Sequence, residues 1–207
     1  NMDLRNVKGS IKIKDQSLRF ENIGMNTLEG FIGLSGYYST VNAARPEVDF
    51  HLDIRDVDVK QAFLTFNTME KLAPLAGVAS GKISTLLNLK TDLNGNMMPD
   101  FVSFNGAGKL MSPALTLNNV SSFNKLADVL KIEKLRQWVI EKINLSFEVV
   151  AGKVFVKPFT TSLGNTKAEI SGWNSFDQTL EYVMHLNIPR SEFGGAANNV
   201  LNNLVSE

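Results

Sequence analysis

The sequence predicts a mainly β protein with flanking helices, a curved antiparallel sheet or groove built from repeated strand units. Three observations carry this. Apolar and polar residues alternate with period two over much of the chain, the connections between alternating runs are short and rich in turn residues, and one strand unit occurs twice.

Val48 to Ile54 sets the pattern: Val48, Phe50, Leu52 and Ile54 are apolar, while Asp49, His51 and Asp53 are polar. Ile143 to Val149 and Leu180 to Ile188 repeat it, and Ile11 to Ile13 and Leu18 to Phe20 are shorter versions. Ile83 to Leu93 alternates as well, with Thr85 and Thr91 on the apolar side and Leu86 on the other. Each run reads as a strand with one apolar and one wet face, as antiparallel sheets have. Lys14 to Ser17, Ala151-Gly152 and Asn94-Gly95-Asn96 supply the turns. Most runs lie too close together for a crossover helix, so hairpins rather than βαβ units are expected.

Three segments depart from period two. Asp58 to about Ala76 reads as a helix with Asp58 as N-cap, stopped near Pro74 and Gly77. Ser121 to Lys142 reads as one long or two short helices, with stripes of Phe123, Leu126, Ala127 and Leu130, then Leu135, Trp138 and Val139. A terminal helix is expected over about 191–205.

The repeat places Leu18-Arg19-Phe20 and Gly36-Tyr37 on Val154-Phe155-Val156 and Gly172-Trp173 at constant offset. A two-residue gap then sets His51-Leu52-Asp53-Ile54 on His185-Leu186-Asn187-Ile188. The expected organisation is a single domain over 1–207, with strand repeats at about 4–57 and 145–190.

Composition narrows the function. The 207 residues include 43% hydrophobic and 20% charged residues, with 21 basic and 21 acidic side chains. That is ordinary for a folded domain and lacks the basic excess of a nucleic-acid binder. There is no cysteine, which removes disulfides, thiolate nucleophiles and cysteine-based zinc sites. No run of eighteen apolar residues spans a bilayer as a helix. The first residues, Asn1 to Arg5, carry no signal-peptide pattern and read as the middle of a strand-and-turn region cut from a longer protein.

Phe63 to Ala76, with the run Phe63-Leu64-Thr65-Phe66-Asn67-Thr68-Met69-Glu70-Lys71-Leu72-Ala73-Pro74-Leu75-Ala76, resembles a signature helix of the AsmA-like family. Met98-Pro99, Asn105 to Leu110, Gly152-Lys153-Val154, Pro158-Phe159, Gly172 and Phe176 to Tyr182 extend the resemblance over nearly the whole chain, in order and spacing. The resemblance implies the C-terminal periplasmic region of a Gram-negative cell-envelope protein, held in the inner membrane by an N-terminal anchor absent from this chain. It implies a long β-groove, related in plan to TamB and the bridge-like lipid transfer proteins, that moves phospholipid or supports outer-membrane assembly. No cofactor and no nucleic acid is implied. Phospholipid acyl chains are the expected partners, and Phe50, Leu52, Ile54, Tyr182, Met184 and Leu186 are the lipid-facing candidates.

Chemical motifs weigh against an enzyme. His51 and His185, the only histidines, are expected on the polar faces of their strands and lack converging metal ligands. Asp53, Asp56 and Asp58 cluster where a strand gives way to a helix, and Asp15, Asp92 and Asp177 sit at turns; capping and turn formation account for them. Gly30 to Gly36 reads as strand, not as a phosphate loop. The Trp138 segment, with Lys125, Lys131, Lys134, Arg136 and Lys142, suits a helix covering the sheet better than one lying on a membrane, because Asp128, Glu133 and Glu141 dilute its charge. The apolar face remains: either a groove for acyl chains, or the dry core of a structural or interaction module of the envelope with no ligand.

Overall fold

The computed structural model describes residues 2–66, 68–130, 133–163 and 165–187, together with Pro189. Among these residues ten strands form one sheet in chain order, each antiparallel to the next. They are β1 (Arg5–Lys14), β2 (Ser17–Thr27), β3 (Gly30–Ser39), β4 (Glu47–Asp58), β5 (Ala79–Asp92), β6 (Asn105–Asn118), β7 (Gln137–Val150), β8 (Lys153–Leu163), β9 (Thr166–Ser175) and β10 (Leu180–Asn187). The sheet is open: β1 and β10 are its two edges and do not pair with one another.

Tight turns make the meander. Asp15 and Gln16 both take positive φ, +49° and +57°, the backbone of a two-residue hairpin turn whose twist matches its strands. Ala151 and Gly152 do the same between β7 and β8. Asn22 and Asp56, also at positive φ, sit at bulges where the pairing slips between Phe20 and Ile23 and between Ile54 and Val57.

The repeat is structural. β2 and β8 begin 136 residues apart, at Ser17 and Lys153, and β3 and β9 likewise, at Gly30 and Thr166. The bulge between Phe20 and Ile23 recurs between Val156 and Phe159. The equivalence of the histidines needs correction. Phe50 lies opposite Gly36 and Tyr182 opposite Gly172, so Phe50 matches Tyr182. His51 faces Ser35, while His185 faces Glu169 rather than Ser171, two residues out of step. The second hairpin is shorter by four residues, not two, and alternation conceals the difference because both lengths preserve the faces.

Between β4 and β5 the chain leaves the sheet. Asp58 caps α1 (Val59–Thr65), its carboxylate accepting the Gln61 N–H at 2.8 Å. The expected single helix over 58–76 is instead α1, a short α2 (Met69–Leu72) and a 3-10 turn (Pro74–Val78). Pro74 ends α2, since its ring disfavours helical geometry at Ala73 and it has no N–H to donate. This segment, 59–78, lies over the apolar face. Asn174 of β9 donates to the carbonyls of Lys71 and Leu72, both at 3.3 Å, and the Lys71 ammonium stands 4.8 Å from the Phe101 ring centre. Val59, Ala76, Ala79, Ile83, Leu117, Trp138, Ile140 and Ile143 form the main buried cluster.

The helix expected over 121–142 is also corrected. α3 (Ser121–Leu130) is followed by a 3-10 turn at Glu133–Arg136, and Gln137 to Lys142 belong to β7. Trp138 is therefore a strand residue, buried and stacked on Phe123 at 4.2 Å between ring centres. Lys142 at φ +54° breaks the alternation, so that Trp138, Ile140 and Ile143 all turn inward; this irregular spacing imitates a helical stripe. The expected helix over 191–205 lies outside the described residues.

Candidate functional site

Register assembles the apolar face row by row. One row crosses every strand: Ile11, Phe20, Gly36, Phe50, Leu89, Gly106, Val149, Val154, Asn174 and Leu180 are successive cross-strand partners. A second runs from Leu34 through Leu52, Leu87, Gly108, Phe147, Val156 and Gly172 to Tyr182. Two glycines interrupt the large side chains of each row, Gly36 and Gly106 in the first and Gly108 and Gly172 in the second. A Cβ on Gly108 would meet the Phe147 ring at 2.6 Å, and one on Gly172 would lie 2.3 Å from the Glu181 carbonyl. The bare glycine backbone lets neighbouring rings lie flat on the sheet.

Beneath segment 59–78 these rows border a cavity of about 280 Å³. Ile54, Leu87, Leu110, Leu145, Phe147 and Val156 supply its sheet wall, and Phe66, Met69 and Leu72 its roof. Its few polar groups are already engaged. The Tyr182 hydroxyl donates to Asn174 Oδ1 at 3.1 Å, Asn174 Nδ2 bonds the two helix carbonyls, and Thr85 Oγ1 donates to the Lys109 carbonyl at 2.7 Å. Burial pushes the Tyr182 phenol pKa above its ordinary value, so the ring stays neutral. Such a site offers a ligand dispersion and water exclusion but few free hydrogen-bonding groups. Its volume is roughly twice that of an engineered cavity that takes one benzene, so it holds a stretch of hydrocarbon rather than a whole lipid.

Phe50, Leu52, Ile54, Tyr182, Met184 and Leu186 are all half-buried, whereas His51 and His185 are exposed. Ile54 and Tyr182 line the cavity. Leu52 sits beside Leu87, Phe50 meets Phe20 edge to face at 5.7 Å, and Met184 and Leu186 pack against the buried cluster. The sheet lining that the sequence reading passed over comes chiefly from β5 to β8, Leu87 and Leu110 included. Alternation at Leu145, Phe147 and Val149 and at Val154 and Val156 marks those residues; nothing local in the sequence marks the roof.

The acidic residues hold turns and ion pairs. Asp53 pairs with Arg55, which lowers its pKa, Asp92 takes Arg45 at 2.6 Å, and Asp177 accepts from Ser175 and Thr179. His51 is hydrogen-bonded to Asn88. Among the described residues no three His, Cys, Asp or Glu converge as metal ligands, and no helix is long and apolar enough to cross a membrane.

The fold and site define an open antiparallel sheet with an apolar face under a helical segment. No family model matches this chain, nor does any curated protein or solved structure.

Proposed function

We propose that this chain is a non-enzymatic, lipid-handling part of an AsmA-like protein of the Gram-negative envelope, periplasmic and taking phospholipid acyl chains against its apolar sheet face in support of outer-membrane assembly. The observation that carries this reading is the cavity: carbon-lined, continuous with apolar rows that run across the sheet, and with its polar groups already satisfied. Apolar ligands suit such a site and charged ones do not. The resemblance carried by Phe63 to Ala76 supplies the envelope setting.

A second reading, a dry structural or interaction module, draws on one specific observation. Segment 59–78 already covers much of the face and leaves only about 280 Å³. Protein purified without detergent decides between them, by native mass spectrometry and solvent extraction. Co-purifying phospholipid, displaced when Leu87→Trp fills the cavity in a protein that still melts cooperatively, supports the groove. Absence of lipid, and of uptake from phospholipid vesicles, leaves the dry module.

A further inference from the structure

Closure, polarity and volume set what the cavity admits. Its floor is sealed: Val57, Val149 and Phe104 are 2%, 2% and 4% exposed. Phe66 and Leu75 of the roof and Leu180 of β10 are the exposed members of its lining, so a ligand enters past them and meets a closed floor. Among the described residues no charged side chain lines the cavity, and its polar groups, on Thr85, Asn174 and Tyr182, are already bonded within the protein. A headgroup finds no partner inside and would lose its water there. It therefore stays at the mouth, and an alkyl chain enters methyl end first.

We propose that the cavity is a ruler for one unbranched alkyl chain: it encloses about the last eleven carbons of a single-chain amphiphile, a fatty acid or a monoacyl lipid, whatever the headgroup. The inference rests on the lipid reading and narrows it to one chain at a time. An engineered cavity of about 150 Å³ takes one benzene, which is about 25 Å³ per carbon. At that density about 280 Å³ holds about eleven carbons. Two chains of about sixteen carbons each would need about 800 Å³. Leu145 and Phe147, successive inward residues of β7, set the length. Both are half-buried in the lining, and the Phe147 ring lies over the bare backbone of Gly108. A change of size at either position alters the room for a chain without removing a charge or a side-chain hydrogen bond.

The test is titration calorimetry on the full chain, stripped of lipid on a hydrophobic resin. The probes are saturated fatty acids and alkylphosphocholines of about eight to sixteen carbons, each below its micelle concentration. Affinity is expected to rise about fourfold per methylene up to about eleven carbons and then to flatten, because further methylenes stay in water. The break should fall at the same length for both headgroups, with one chain bound per protein. Leu145→Phe puts about three more carbons into the wall and should move the break to about eight; Phe147→Leu removes about three and should move it to about fourteen. The two shifts are opposite in sign, so general loosening of the fold cannot produce both, and the parent series decides even where one variant melts early. A rise unbroken to the longest probe, a break that neither variant moves, or two chains per protein would each overturn the ruler and leave the lipid reading standing. Failure to bind a probe of any length would remove the lipid reading itself, and the ruler with it.

Discussion

β2 and β8 follow equivalent turns, bulge at equivalent places and run beside equivalent neighbours, yet Val154 is buried while its counterpart Leu18 is half-exposed. Material outside the repeat makes that difference. Phe104, from the loop joining β5 to β6, packs with Val149, Val154 and Phe176, and Phe101 and Phe176 meet at 4.6 Å between ring centres. Segment 59–78 adds its roof over β7 to β9, while β1 is exposed along its whole length. Strand pattern thus decides which way a side chain faces, and the insertions between the copies decide whether anything covers it. Ile13 and Val149, alike in kind and equivalent in the repeat, thus become accessible surface in the first copy and core in the second.

The largest expected effect separates the copies directly. Val149→Asp places an unpaired carboxylate where the side chain is fully enclosed, and is expected to cost several kcal/mol, about 4 or more. Ile13→Asp, at the equivalent position of β1, should change stability by no more than about 0.5 kcal/mol, because the side chain already meets water. Urea unfolding of both variants reads the contrast. Similar losses at the two positions would mean that β1 is covered in solution.

A second substitution should treat the copies alike. Gly36 takes φ +131°, and a Cβ there would sit 2.0 Å from the Asp49 carbonyl; at Gly172 the corresponding clash is with Glu181. Gly36→Ala and Gly172→Ala are each expected to cost about 1–3 kcal/mol in the same unfolding assay. Close approach of the next strand's backbone belongs to the repeat itself, so cover is irrelevant to it. A large loss at Gly172 with none at Gly36 would show that the first copy relaxes more freely.

Alternation made most of this fold legible. The faces of β4, β5 and β10 follow from residues such as Phe50, Leu87 and Met184, and the turn at Lys14 to Ser17 is written in its residue types. Two things were hidden. The positive φ at Lys142 shifts the period within an unbroken register, which made Trp138 to Ile143 look helical. The path of a covering segment depends on distant partners: Asn174 holds the carbonyls of Lys71 and Leu72 more than a hundred positions away. The six candidates on the apolar face were readable because period two fixes a face. The cavity needed the roof, and with it contacts that no local pattern encodes.

The roof itself supplies a smaller effect. Asp58→Ala removes the acceptor of the Gln61 N–H and is expected to cost about 1 kcal/mol. Since α1 begins the cover, the loss should be local: faster amide exchange over 59–65, with β1 unchanged. Exchange that rises equally in β1 would show the two ends of the sheet to unfold as one unit.

The smallest effect is one of pH, and it is confined to the covered copy. Asp177 accepts from the hydroxyls of Ser175 and Thr179 and from the Thr179 N–H at 2.9 Å. These bonds, that of Ser175 foremost, hold its pKa down to about 2 from an ordinary 3.8. A carboxyl whose pKa is lower folded than unfolded contributes stability above the unfolded value and loses it as pH falls through the folded one. The contribution is therefore complete above about pH 4 and fades towards pH 2. Asp177→Asn keeps an oxygen acceptor and removes the charge, so the difference in melting temperature between the two proteins isolates the titration. That difference should be small at pH 6, since the carboxylate is exposed and screened, and should shrink towards zero as pH falls to 2. Over the same range the Thr179 amide resonance should shift with a midpoint near 2 in the parent protein and stay still in the variant. A midpoint near 3.8 would mean that the three bonds do not persist in solution. The loop at 40–46 in the first copy is built differently, around the Asn42 side chain and the Gln16 carbonyl, so no carboxylate there should titrate with this turn.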